Sequence, residues 1–197
     1  MSEKAHSMPL VAALETLRDA RGDRVVITSM GAAREWPRLS QHPLDFHYIP
    51  STMGGAVPLA LGLALAQPDR EFIVLTGDGS LLMNLGSLVT VAASGATNLT
   101  IVLINNAVYE VTGGQTTAAA QAGIEFSKLA TDSGIQSVSA FDTLESWQAE
   151  VAAVLNLPGP RFIELRTTPA LDNFRLESPG PIAPRLVAFR EAIKLAP

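Results

Sequence analysis

Residues 72–80, FIVLTGDGS, and residues 99–106, LTIVLINN, decide how this chain folds. Each opens with a run of β-branched and aliphatic residues and closes on small polar ones. Continuous apolar runs of this length read as strands buried on both faces, as in a parallel sheet. Residues 24–28 (RVVIT) and 161–166 (RFIELR) have the same character. The segments between them have helical spacing. Residues 9–21 carry Leu10, Leu14 and Leu17 behind Ser7 as a cap, and residues 55–66 are rich in Ala and Leu. Residues 80–94 align Leu81, Leu85, Leu88 and Val89, and an amphipathic stretch over 143–157 stops at Pro158-Gly159. Strands alternating with such helices predict an α/β fold: a doubly wound, mostly parallel sheet with helices on both faces. No repeat or linker interrupts the pattern, so residues 1–197 read as a single domain. An irregular arm is expected from about residue 167, where Pro169, Pro179, Pro181 and Pro184 cluster before a last short helix.

Composition removes several function classes. With 47% apolar and only 17% charged residues, the chain is neither disordered nor a coiled coil. The net charge of −5, without a basic run, makes nucleic acid and anionic membrane poor partners. The absence of cysteine excludes disulfides, thiolate zinc sites, cysteine nucleophiles and cysteine-held iron–sulfur clusters. The longest apolar stretch, residues 56–66, contains Pro58 and Gly62 and falls short of the roughly 20 residues that span a bilayer. Residues 1–10 (MSEKAHSMPL) lack a basic region followed by an apolar core, so the expected location is cytoplasmic.

In doubly wound sheets, ligands bind beyond the carboxyl ends of the strands. Gly77-Asp78-Gly79-Ser80 follows one strand and Asn105-Asn106 follows another. If these strands are parallel neighbours, both turns face one crevice. Free N–H groups at the start of the following helix, near Ser80, make a phosphate site, and Gly77 and Gly79 let the backbone come close to an anion. Asp78 offers a hard anionic oxygen and an asparagine a neutral one, a set that suits magnesium shared with phosphate. Singly, Gly-Asp-Gly is a common turn and Asn-Asn a common cap. Their placement at matching strand ends, with 25 residues between Gly79 and Asn105, carries the functional reading. A nicotinamide site is discounted, because Leu82 stands where a third glycine would be needed.

This spacing resembles the thiamine diphosphate motif, a Gly-Asp-Gly followed some two dozen residues later by Asn-Asn. Residues 77–117 look like the diphosphate-binding domain of the decarboxylase class of these enzymes. Residues 45–65 (DFHYIPSTMGGAVPLALGLAL) are similar to the Ser-Met-Gly segment of sulfopyruvate and phosphonopyruvate decarboxylases. Gly113-Gly114-Gln115-Thr116 resembles the Gly-Gly-Gln-Pro-Thr of the same group, and the likeness covers about residues 24–166. It implies that Asp78 and Asn106 ligate Mg2+ by side chain and Val108 by its backbone carbonyl. Gly77, Gly79 and Ser80 would contact the diphosphate, with Tyr109 beside them. Met53 would be the wedge beneath the bent cofactor, next to Thr52, and the Ser51 carbonyl would accept from the aminopyrimidine. Gly31 and Ala32, in the turn after the first strand, would reach the pyrimidine.

Some positions depart from the pattern. Pro50-Ser51-Thr52 replaces the usual Gly-Ser, and the turn over residues 31–36 is one residue shorter than in the phosphonopyruvate enzymes. Glu110 stands where carboligases have a small residue. It could exchange a proton in catalysis or simply favour a helix start. His47 reads as structural, and Arg34 is the local candidate for a substrate's second anion.

The implied function is the thiamine diphosphate- and Mg2+-binding subunit of a 2-oxo acid decarboxylase (a lyase) or a carboligase. A separate pyrimidine-binding (alpha) subunit, which supplies the activating glutamate, would complete it. The alternatives are the beta subunit of a 2-oxoacid oxidoreductase and a non-catalytic, cofactor-binding homo-oligomer. The low charge content also predicts a covered apolar surface and self-association to a homodimer when the partner is missing.

Overall fold

The computed structural model describes residues 7–170 and 178–195. The chain runs α1 (Leu10–Ala20), β1 (Val25–Thr28), α2 (Met30–Leu39), β2 (Asp45–His47), α3 (Ala56–Ala66) and β3 (Phe72–Gly77). Next come α4 (Asp78–Leu82), α5 (Gly86–Ser94), β4 (Leu99–Asn105), β5 (Val108–Tyr109), a 3-10 turn at Glu110–Thr112, β6 (Gln115–Thr116) and α6 (Ala118–Ala122). The remainder is α7 (Phe126–Asp132), β7 (Ser137–Phe141), α8 (Leu144–Val154), β8 (Arg161–Arg166) and α9 (Ile182–Leu195).

All four runs expected as strands pair side by side, and every pairing in the main sheet is parallel. The order is β2-β1-β3-β4-β8-β7, with β5 and β6 forming a separate antiparallel pair. Parallel strands need crossovers, and these place helices on both faces. One face buries Leu14, Trp36 and Trp147 from α1, α2 and α8. The other buries Val57, Val91, Phe126 and Phe189 from α3, α5, α7 and α9. Trp147 donates its indole N–H to the Ala13 carbonyl at 3.0 Å, tying α8 to α1. No helix among the described residues is long and apolar enough to cross a membrane.

Three expectations need correction. The helix expected over residues 80–94 is broken into α4 and α5, which shifts the helical phase and leaves Val89 exposed. Residues 31–36 are not a turn but part of α2, because Ala32 and Trp36 share a face that packs on the sheet. The helix after the arm is not short, and the arm itself opens on a single bridge. The Met8 and Thr168 amides donate to the Arg166 and Met8 carbonyls at 2.9 and 3.0 Å, so Met8 and Thr167 pair in parallel. The final helix begins at Ile182 and spans 14 residues, with Pro184 in its first turn, where a missing N–H costs nothing. Residues 171–177 lie outside the described residues, as does His6.

Candidate functional site

Register brings the two signature turns together. Strands β3 and β4 lie adjacent and parallel with Gly77 opposite Ile104, so Asp78 and Asn105-Asn106 emerge at the same sheet end. Asp78 opens α4, with Gly77 as its extended N-cap residue, and is 2% exposed. Its carboxylate accepts from the Thr117 hydroxyl at 3.3 Å. Burial pushes its pKa up to about 6, against hydrogen bonds from the Gly79 amide, Thr117 and the Ala107 amide.

The Asn-Asn turn is closed by its own side chains. Asn105 Oδ1 accepts from the Ala107 amide at 3.2 Å, and Asn106 Oδ1 accepts from the Val108 amide at 3.1 Å. Ala107 sits at φ 65, the left-handed region, and its carbonyl accepts from the Thr117 amide at 2.9 Å. The chain then enters the β5–β6 pair, with Val108 opposite Thr116 and Tyr109 opposite Gln115. The ring of Tyr109 lies over Gly79.

A third segment meets these two. The Gly54 amide donates to Ser80 Oγ at 3.0 Å, and Asn84 Nδ2 donates to the Gly54 carbonyl at 3.1 Å. Gly54 has φ 79, and a β-carbon there would sit 2.8 Å from Asn84 Cβ, so only glycine fits this clamp. Met53 is thereby presented to the cleft.

The cleft has a volume of about 70 Å³ and is lined from all three segments. Met53, Gly77, Asp78, Gly79 and Ser80 face it from one side, and Asn106, Val108, Tyr109 and Glu110 from the other. Gly31 and Ala32, at the start of α2, complete the wall, whereas Ser51 and Thr52 flank Met53 outside the lining. Glu110 accepts from the Ala170 amide at 2.7 Å and faces Gly31. Arg34 donates to Glu35 at 2.5 Å and to the Ala170 carbonyl at 3.3 Å, so its guanidinium serves the arm. His47 is outside the cleft lining. Its Nδ1 is 3.0 Å from Thr28 Oγ1, and burial holds its pKa below the usual histidine value. Three residues here escaped the sequence reading: Asn84, Thr117 and Glu164, which bonds the Asn105 amide. Nothing in their local sequence marks them.

The donors fit a hard divalent cation. Asp78 is a buried carboxylate whose described partners are uncharged donors, and Asn106 and Val108, an amide side chain and a backbone carbonyl, line the same cleft. No cluster of three His, Cys, Asp or Glu side chains among the described residues is set to hold a metal. A cation at Asp78 would therefore draw its remaining oxygens from a phosphate or from water, both hard donors.

A family model for "Thiamine pyrophosphate enzyme, C-terminal TPP binding domain" matches residues 27–165. The sulfopyruvate decarboxylase subunit beta of Methanothermobacter thermautotrophicus is 38% identical over 160 residues, covering 81% of this chain and 82% of that protein. A phosphonopyruvate decarboxylase of Streptomyces viridochromogenes is 34% identical over 184 residues, which is 91% of this chain but only 45% of that protein. The chain thus spans most of the first relative and under half of the second. Among solved structures, a putative thiamin diphosphate-dependent enzyme from Mycobacterium smegmatis superposes with TM-score 0.68 at 22% identity, covering 86% of this chain and 35% of that one. At that identity the likeness speaks for the fold.

Proposed function

The chain belongs to the thiamine pyrophosphate enzymes as a C-terminal TPP binding domain of decarboxylase type, and from this premise we propose that it is the diphosphate- and Mg2+-binding subunit of a 2-oxo acid decarboxylase. The observation that carries the reading is the buried Asp78 carboxylate beside the Asn106–Val108 turn. In this reading Asp78, Asn106 and the Val108 carbonyl hold Mg2+, and the Gly79 and Ser80 amides receive the diphosphate. Ser80 Oγ already accepts from Gly54, so its hydroxyl proton remains to be donated. Met53 supports the bent cofactor from below, the Ser51 carbonyl accepts from its amine, and Gly31 and Ala32 border its pyrimidine end.

When bound, thiamine diphosphate supplies a nucleophilic carbon and an electron sink for the loss of carbon dioxide. The residues of this chain contribute position, a bend and a partly dry wall. A separate pyrimidine-binding subunit completes the site in the cytoplasm. The first relative's name, a subunit beta, supports this, as do the exposed Val111 on the cleft wall and Met83 beside Gly54. An apolar rim of this kind is suited to being covered.

The test is carbon dioxide release from a panel of 2-oxo acids with Mg2+ and cofactor, with and without a pyrimidine-domain chain. Turnover is expected only with both chains. Calorimetry on this chain should show Mg2+-dependent cofactor binding that Asp78→Ala abolishes and Glu110→Ala largely keeps. Unchanged binding in the Asp78 variant would sink the assignment.

A further inference from the structure

We propose that Glu164 is a positioning residue for the cation-binding turn: a buried carboxylate on the neighbouring strand that sets, through the Asn105 amide, the backbone carrying Asn106 and Val108. The inference rests on reading that turn as the metal and diphosphate site.

Glu164 lies in β8, opposite Leu103 of β4, and is 1% exposed. On its face of the sheet it is flanked by apolar core residues, Leu103 opposite and Phe162 two residues away. A carboxylate in such a place is costly unless its oxygens are satisfied. Both are. Oε1 accepts from Asn105 Nδ2 at 2.8 Å and from Arg166 Nε at 3.4 Å, and Oε2 accepts from the Ser127 amide at 3.1 Å.

An ionised carboxylate only accepts, so it dictates which end of the Asn105 amide faces it. With Nδ2 committed to Glu164, Oδ1 is left pointing at the Ala107 amide, 3.2 Å away. Ala107 holds a left-handed φ of 65, which a residue with a β-carbon adopts only when its surroundings enforce it. Its carbonyl accepts from the Thr117 amide at 2.9 Å, and the Thr117 hydroxyl donates to the Asp78 carboxylate at 3.3 Å. Glu164, Asn105, Ala107, Thr117 and Asp78 thus form one continuous path from a buried strand to the carboxylate read as the metal ligand. Replacing Glu164 by its amide breaks the path whichever way the new side chain turns. Its NH2 end must meet either the Asn105 NH2 or the Ser127 N–H, unless Asn105 flips and presents NH2 to the Ala107 N–H.

The test is Mg2+ titration of the full chain at fixed thiamine diphosphate, read by calorimetry, with Glu164→Gln, Asn105→Ala and the double variant. Outer-shell partners of metal ligands are worth roughly 10-fold or more in metal affinity. Each single variant should therefore raise the half-saturating Mg2+ about 10-fold. The double variant should add little beyond the larger single effect, because both changes cut one path. Losses that multiply in the double variant, or an unchanged Mg2+ requirement in both singles, would overturn the proposal. Should Glu164→Gln fail to fold, Asn105→Ala decides alone, since it leaves Glu164 its Ser127 and Arg166 donors. Asp78→Ala runs in parallel. If it too binds like the wild type, the site reading fails, and if it alone is defective, only the role of Glu164 fails.

Discussion

The ring of Tyr109 lies so close to the α-carbon of Gly79 that a β-carbon there would fall inside the ring's van der Waals surface. Two residues 30 apart are thereby fitted to one another, one by having no side chain and the other by having a flat one. Gly79→Ala should displace the ring and strain the β5–β6 pair, at a cost of about 1–3 kcal/mol typical of overpacking. Adding Tyr109→Ala should recover most of that cost in urea unfolding. Additive losses in the double variant would show that residue 79 is limited by its backbone and not by the ring.

Asn84 clamps the segment that carries Met53 through the Gly54 carbonyl. Asn84→Ala should weaken Mg2+-dependent cofactor binding while lowering stability by only about 1 kcal/mol, the usual worth of one hydrogen bond. Binding and melting measured on the same preparation check this. Intact affinity would mean that Ser80 alone suffices to place Gly54.

Met53→Leu, nearly equal in volume, should cost less than about 1.5 kcal/mol and keep most turnover in the assembled enzyme. Met53→Gly should lose turnover by more than its loss of folded protein explains. Parallel losses in stability and activity would make Met53 ordinary wall packing.

His47 gives the fold a pH dependence of defined sign. Burial disfavours its protonated form, Asp45 opposes that effect and Arg185 adds to it, while Thr28 bonds its ring. The Arg185 guanidinium also donates to the His47 carbonyl at 2.6 Å. Because the folded-state pKa lies below the ordinary histidine value of about 6.5, the unfolded chain binds this proton more readily. Stability from this residue is complete above the unfolded value and declines as pH falls through it. His47→Gln should reduce the drop in urea midpoint between about pH 7 and pH 5, the interval in which an ordinary histidine titrates. Equal drops in variant and wild type would assign the acid sensitivity to other groups.

Local chemistry alone reaches the centre of the sheet. The runs at residues 25–28, 72–77 and 99–105 are mainly apolar on both sides, which a strand covered on both faces favours, and 161–166 is buried over its first five residues although Arg161 and Glu164 interrupt its apolar character. The Gly-Asp-Gly and Asn-Asn turns are legible for a related reason. Each immediately follows such a strand, and strand ends are where this architecture exposes backbone to a ligand. Edge strands carry no such mark. Asp45–His47 and Ser137–Phe141 are short or half-exposed, and only pairing with β1 and β8 makes them strands. The helix at Met30–Leu39, with its glycine and Pro37, resembles a turn until Ala32 and Trp36 find the sheet to pack on. The site's supports are set by tertiary structure for the same reason. Asn84 lies 30 residues from Gly54, Thr117 lies 39 from Asp78, and Glu164 lies 59 from Asn105. Hydrogen-bond partners so far apart leave no periodicity in the chain. They are chosen by register, which places Gly77 beside Ile104 and Asn105 beside Arg166 and so brings a buried carboxylate within reach of the turn it holds.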